Sequence, residues 1–299
     1  MQVQNWNDYQ AFLAVALSGQ LARAAANLGV DATTISRRVK RLERRLDQTL
    51  FEKTRTGQIL TEAGEKLLEA VELMASAAEN IDELKHSKTG PFGNLRISVS
   101  EGFGGWLLSM HAQKFIEKNP RLQLELVSGS GFLSPSKREA DIAILLSKPR
   151  SGPIRAKKLT DYTLRLYASP TYLKRFGNPE TLSDLATGHR IVGYVPDLLY
   201  APELQFLEEY DPSLVATIKS TSIIAQLRFI ESGAGVGVLP CFIAGSYPGL
   251  QRIIPDIEIT RSLWLVTHKD NETLSRVLAG KNWLQHLVSE MRNELVPPS

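Results

Sequence analysis

The sequence predicts an α/β protein in two parts: a small helical head with a β-hairpin, then a larger α/β domain of two subdomains, joined by one long helix. Three observations carry this. The first 46 residues hold three segments of helical apolar spacing separated by glycine turns. Residues 61–85 keep a heptad-like apolar repeat. From residue 95 onward, strand-like runs alternate with helical ones, the pattern of layered α/β folds.

Residues 5–17 read as a helix with Trp6, Tyr9, Phe12, Leu13 and Ala16 on one stripe, ended by Ser18-Gly19. A short helix follows from about Gln20 to Leu28, with Gly29 placed as its left-handed cap. Asp31 is an N-cap for a third helix reaching Leu46. Ile35, Val39, Leu42 and Leu46 form its buried stripe, leaving hydroxyls and cations on the other faces. Two helices joined by a tight glycine turn, the second polar and basic outward, is the helix-turn-helix pattern. LFEKTRTGQILT (50–61) reads as a two-stranded wing tipped by Arg55, Thr56 and Gly57.

The charge distribution gives the pattern a purpose. Net charge is only +3, yet Arg37–Arg45 holds six cations against one anion, Glu43. A local basic patch on a near-neutral chain marks a polyanion-binding face. A major groove of double-stranded DNA admits one helix, whose outward side chains meet base edges and phosphates. Thr33, Thr34 and Ser36, in the first turns, are assigned to base or phosphate hydrogen bonds. Arg37 is the candidate for bidentate guanine reading, since its planar fork matches O6 and N7. Arg38, Lys40 and Arg41 are assigned to phosphates, and Arg55 to the minor groove. Arg44 and Arg45 lie past the contact zone, where a solvated or acid-paired face is the simpler reading.

Thr61 caps the long helix, whose stripe of Leu67, Val71, Met74, Ala78 and Ile81 alternates spacings of four and three. This is either an amphipathic face lying on its own domain or a dimerising seam. The helix's length and its place between two domains favour the seam. HSKTGPFGN (86–94) is a linker.

Strands are expected at 95–100, 122–128, 140–147, 165–169, 236–240 and 263–269. Helices are expected at about 104–118, at 170–176, 223–233 and 273–292, with mostly parallel pairing. In such sheets, ligands sit beyond the carboxyl ends of strands and near helix N-termini. This nominates Ser100, Glu101, Gly102 and Phe103 after the first strand, Ser128, Ser130 and Phe132 after the second, and Ser147 after the third. Thr221, with Ser220 and Ser222, precedes a helix. These hydroxyls serve equally well as helix caps. Glu101 facing the cleft would disfavour a carboxylate ligand; it otherwise points to solvent or pairs with a cation.

The stretch FLAVALSGQLARAAANLGVDATTISRRVKRLERRLDQTLFEKTRTGQILTEAG resembles the LysR-type transcriptional regulators. The resemblance rests on the spacing of Ala24-Ala25, Leu28, Ser36-Arg37, Leu42-Glu43, Leu50-Phe51 and Leu60-Thr61-x-Ala63-Gly64. ADIAI, LYASPTYL, FIESGAGVGVLP and LWLVTHKD look like the same family's effector-binding domain, so the likeness spans the chain. It implies a winged helix-turn-helix (1–61), a subunit-pairing linker helix and hinge (62–91), and a periplasmic-binding-protein-like regulatory domain (92–299). The chain would cross between subdomains near 161–165 and 263–268. One subdomain would then be 92–162 plus 267–299 and the other 163–266. It also implies a cytoplasmic homodimer or homotetramer on an inverted-repeat promoter site, a small-molecule effector, and contact with RNA polymerase. Ala32 stands where many members carry a polar residue and cannot hydrogen-bond a base edge, so a relative's operator does not transfer.

Other classes find little support. The single cysteine, Cys241, allows no internal disulfide or cysteine-built metal site, and is expected buried and inert. MQVQNWNDYQ lacks the profile of a signal peptide, and no apolar run has membrane-spanning length. The Gly233–Gly237 run follows a helix and leads into a strand, the reverse of the dinucleotide-binding order. The five histidines show no metal spacing, and no serine sits in a nucleophile elbow. No metal, cofactor or catalytic residue is therefore expected. An enzyme with a DNA-binding head would need turnover in the cleft. An architectural DNA-binding protein would have an unresponsive C-terminal domain. A ligand-responsive transcription regulator is the reading favoured.

Overall fold

The computed structural model describes residues 5–55, 57–86, 90–129, 133–135 and 139–298. Thr56, Ser130, Phe132 and the side chain of Ile81 lie outside the described residues. The chain divides into two compact units, 1–88 and 89–299.

The first unit holds α1 (Trp6–Ser18), α2 (Leu21–Leu28), α3 (Ala32–Leu46), β1 (Phe51–Lys53), β2 (Gln58–Leu60) and α4 (Glu62–His86). Gly29, at φ +64°, ends α2 in a conformation that side chains resist. Asp31 caps α3 by accepting from Thr34 N at 2.7 Å. Phe12, Ile35 and Leu42 are completely buried together, and the Phe12 and Phe51 rings meet at 5.2 Å. The buried face of α1 is Asp8, Tyr9, Ala11, Phe12 and Val15, whereas Trp6, Leu13 and Ala16 are only partly covered. The wing pairs Phe51 with Leu60, and Gln58 N donates to Gly19 O at 2.8 Å, fixing the hairpin to the α1–α2 turn.

The second unit runs β3 (Gly93–Val99), a π-helical turn (Gly102–Leu108), α5 (Ser109–Lys118), β4 (Leu122–Ser128), β5 (Ile142–Leu145) and β6 (Ile154–Ala168). Next come α6 (Pro170–Phe176), α7 (Leu182–Gly188), β7 (Ile191–Gly193), α8 (Phe206–Tyr210), β8 (Ile218–Lys219), α9 (Ile223–Glu231) and β9 (Val236–Pro240). The unit ends with α10 (Cys241–Ala244), β10 (Gln251–Arg252), β11 (Glu258–His268), α11 (Ser275–Glu290) and α12 (Arg292–Leu295). Strand order is β4-β3-β5-β11-β6-β9-β7-β8, with β10 on β6. β3 pairs in parallel with β4 and β5, and β7 with β8 and β9.

The expectation of mostly parallel pairing fails at the centre. β6 and β11 run antiparallel to each other, and each pairs antiparallel with a neighbour, β9 and β5 respectively. These long strands thread both subdomains, one outward and one back, so they must oppose. Their register slips between Leu263 and Trp264, opposite Thr160 and Lys158. Trp264–Thr267 pair with β5, so the second crossing falls at the start of the expected 263–268, and the first subdomain resumes a few residues before 267. The C-terminal residues also depart from the expected subdomain. α12 packs on α10 and β6, Leu295 is fully buried, and Arg165 donates to the carbonyls of Pro297 and Pro298 at 3.0 Å. The α7, β7, α8 and β8 segments, short and weakly patterned, were not expected at all.

Candidate DNA-binding and effector sites

α3 projects two kinds of cation. Arg37 and Lys40 are exposed, and Arg38 and Ser36 are half-buried. Arg41 instead turns back into the head, donating through Nε to Asp8 Oδ2 at 2.8 Å and through a guanidinium NH2 to Oδ1. Asp8 is completely buried. This pairing raises the already high pKa of Arg41. Arg45 lies over the Tyr9 ring at 5.0 Å and within 3.9 Å of Asp8, and Arg44 donates to Lys40 O. Arg41, assigned to phosphate, thus also supplies the cation that a buried carboxylate needs, while its own side chain stays 47% exposed. The sequence signal for this was Asp8 itself, a charge four residues before Phe12 on the buried face of α1.

The Thr33 and Thr34 hydroxyls both donate to Asp31, the latter at 2.7 Å. Those bonds and the Thr34 backbone bond hold the Asp31 carboxyl well below its usual range. Both threonines therefore build the cap, and their oxygens keep only acceptor capacity toward DNA. Glu43, the lone anion of the patch, accepts from Leu50 N at 2.8 Å. Arg55 is exposed on the wing.

The proposed seam divides. Val71 is completely buried and Leu67 packs partly into the head's own core, which removes Val71 from a subunit surface. Met74 is exposed, and Ala78 lines a groove with Leu13, Leu17 and Ala75 between α1 and α4.

In the second unit, a cavity of about 30 Å³ lies where the two subdomains face each other. Ser100, Gly102, Phe103 and Leu146 line it from the first subdomain. Tyr194, Tyr200, Phe206, Ile223 and Phe242 line it from the second, and Tyr162 stands at the crossing. Phe103 meets Phe242 edge-on at 6.3 Å. Three nominated hydroxyls do not reach the cavity. Ser128 is exposed at the end of edge strand β4, and Ser147 is exposed because its neighbour Leu146 takes the inward position. Thr221 is exposed as well. Ser222 caps α9, accepting from Ala225 N at 3.1 Å, while Gln226 Nε2 reaches Ser220 O.

Glu101 has a definite place. Its Oε1 accepts from the Ser222 hydroxyl at 2.7 Å and its Oε2 from Ile223 N at 2.9 Å. A carboxylate from one subdomain thereby sits at the N-terminus of a helix in the other. Burial, then the Glu101 charge, push the Tyr200 hydroxyl up to about 12. Sequence reasoning missed the tyrosines: Tyr162 lies on β6, and Tyr194 and Tyr200 lie in the irregular segment after β7. A second cavity, about 150 Å³, lies within the second subdomain and shares Tyr194, Leu204 and Phe206 with the first.

His268 is buried, and its Nδ1 accepts from Asp270 N at 3.1 Å, a cap rather than a reactive group. Cys241 is buried beneath the Tyr167 hydroxyl, and burial outweighs nearby Arg165 and Arg252 to push its thiol up. A thiol so placed resists alkylation. Ellman's reagent should leave native Cys241 unmodified over minutes and titrate one thiol on addition of guanidinium; fast reaction of the native protein would refute this. Among the described residues, no group of three or more metal-ligating side chains is present, and no helix is long and apolar enough to cross a membrane.

A basic recognition helix with a wing, together with a hinged two-subdomain domain, defines a DNA-binding protein coupled to a ligand-binding module. Residues 6–65 match the bacterial regulatory helix-turn-helix protein, lysR family, and residues 88–289 the LysR substrate binding domain, so the chain belongs to the LysR family of transcription regulators. It is 32% identical to the HTH-type transcriptional regulator CrgA of Neisseria meningitidis serogroup B over 97% of this chain and 98% of the relative. It is 28% identical to the Mau operon transcriptional activator of Paracoccus denitrificans, covering 96% and 97%. The solved structure of CrgA from Neisseria meningitidis superposes with a TM-score of 0.58 at 25% identity, covering 95% of this chain and 99% of that one. The chain is a LysR-type transcription regulator with a DNA-binding head and an effector-binding domain.

Proposed function

We propose that two copies of the chain, paired through the exposed part of α4, set two α3 helices into successive major grooves of an inverted repeat in the cytoplasm. Two-fold protein symmetry is then mirrored in the site. Arg37 reads a guanine, Arg38 and Lys40 hold phosphates, Ser36 adds a hydrogen bond, and Arg55 enters the minor groove. The observation that carries this is the sorting of the arginines on α3. Arg41 and Arg45 serve Asp8, which leaves Arg37 and Lys40 exposed and uncommitted to the head's own carboxylate.

An effector in the cleft lined by Ser100, Gly102 and Phe103 closes the two subdomains, and its different affinity for the open and closed cleft drives the change. That change resets the paired heads, altering promoter bending or contact with RNA polymerase. A thermal-shift screen of the full chain against amines, carboxylates, sugars and nucleotides finds the ligand, because 100 times its Kd adds about 2.7 kcal/mol of stability. DNase footprints with and without the hit should then differ in extent or in hypersensitive positions. Identical footprints would break the coupling.

A further inference from the structure

We infer that Glu101 is the specificity determinant of the cleft, excluding carboxylate effectors and selecting a small organic cation, a protonated amine with a short apolar body. This deepens, and rests on, the reading of the cleft as the effector site.

The exclusion follows from occupancy. The N-terminus of a helix presents unpaired N–H groups and positive potential, a ready seat for an anion. At α9 that seat is filled from within: Glu101 takes both the Ser222 hydroxyl and the Ile223 amide. Ile223 also lines the cavity, so the filled seat adjoins the space where an effector would lie. A carboxylate ligand would have to expel Glu101 and then face its charge at close range.

The selection follows from what remains. The walls are aromatic: Phe103, Tyr162, Tyr194, Tyr200, Phe206 and Phe242. Ring faces attract cations, most strongly where water is excluded. Two carboxylates act on these rings. The Glu101 charge reaches Tyr194 and Tyr200, while Tyr162 feels the Arg261 charge first and the Glu203 charge after it. The nearby cation, Arg261, is committed to the Glu209 carboxylate and to the Glu203 carbonyl. At about 30 Å³ the cavity holds little more than a water, so the effector enters an opened cleft.

The test compares two ions of matched size, n-butylammonium and butyrate, on the full chain by isothermal titration calorimetry. The wild type should bind n-butylammonium and show no heat with butyrate. Glu101→Ser, which empties the α9 seat, should gain butyrate binding and weaken n-butylammonium at least tenfold. Circular dichroism checks its folding. Should it not fold, Glu101→Gln keeps the shape without the charge and should still weaken n-butylammonium tenfold. Wild-type binding of butyrate as tight as that of n-butylammonium, or variants with unchanged preference, would overturn the assignment while leaving the cleft as a ligand site. Binding of neither ion by either protein would overturn the small-cation assignment, and the thermal-shift screen would decide the effector reading separately.

Discussion

Arg37→Ala should abolish sequence-specific DNA binding while leaving the head folded. Arg37 is exposed on α3, nearly two turns beyond the Asp31 cap, and its removal takes no packing from Ile35, Val39 or Leu42. A bidentate guanine contact is worth about 1–3 kcal/mol of discrimination. Two half-sites double it, so a paired regulator should lose roughly 30-fold to 10⁴-fold in affinity for its operator and little for random DNA. Fluorescence anisotropy with operator and scrambled duplexes, read at fixed salt, measures both. Two companions give the result its meaning. Lys40→Ala should weaken both duplexes alike and lower the salt slope by about one, the mark of a lost phosphate contact. Arg41→Ala should lower the melting temperature of the head, because Asp8 would stay buried beside Arg45 alone. An Arg37→Ala protein that still footprints the same site would move base reading elsewhere on α3. An Arg41→Ala protein of unchanged stability that binds DNA more weakly would assign Arg41 to the phosphates alone.

What the sequence revealed and what it hid divide along a physical line. Local rules were sufficient for the head. Glycine turns, the Asp31 cap and the stripe through Ile35, Val39 and Leu42 place α2 and α3 to within a residue. The pairing of Arg41 with Asp8 was hidden because it joins residues 33 apart, and no local pattern reports such a contact. In the larger unit, strands β3, β4, β5 and β9 were legible as apolar runs, while β7 and β8, only three and two residues long, were not. The cleft shows the same division. Ser100, Gly102 and Phe103 follow from the rule that ligands gather at strand ends. Ser147 fails it because a one-residue step turns a side chain from one face to the other, while Ser128 ends an edge strand and Thr221 lies in the turn before α9. Glu101 was recognised as awkward, and its partner on α9 supplies the reason.

Gly64→Ala should strongly destabilise the head and leave the larger unit intact. Gly64 sits in the first turn of α4, where its amide donates to Thr61 Oγ1 at 3.0 Å. A Cβ at this position would lie 2.2 Å from the carbonyl oxygen of Leu50 and 2.9 Å from Leu60 Cδ2. The side chain of Leu60 can rotate away, but the Leu50 carbonyl cannot. That carbonyl accepts from Thr61 N at 3.0 Å, while the Leu50 amide donates to Glu43 and its side chain is buried in the core. The backbone junction between α3, the wing and α4 would have to open by more than an ångström. Overpacking against side chains costs about 1–3 kcal/mol, and a clash with fixed backbone belongs at or above the top of that range. A head of this size holds a margin of only about 5 kcal/mol, so most of it would be spent. Calorimetry should show the head's transition falling by at least 10 °C, at about 4–8 °C per kcal/mol, with the other unit's transition unmoved. DNA binding would be lost for a reason opposite to that of Arg37→Ala, since the α3 side chains remain but the surface holding them does not. A Gly64→Ala protein that melts like the wild type would mean that α4 can leave Leu50 without cost, and that the junction does not fix α3 and the wing.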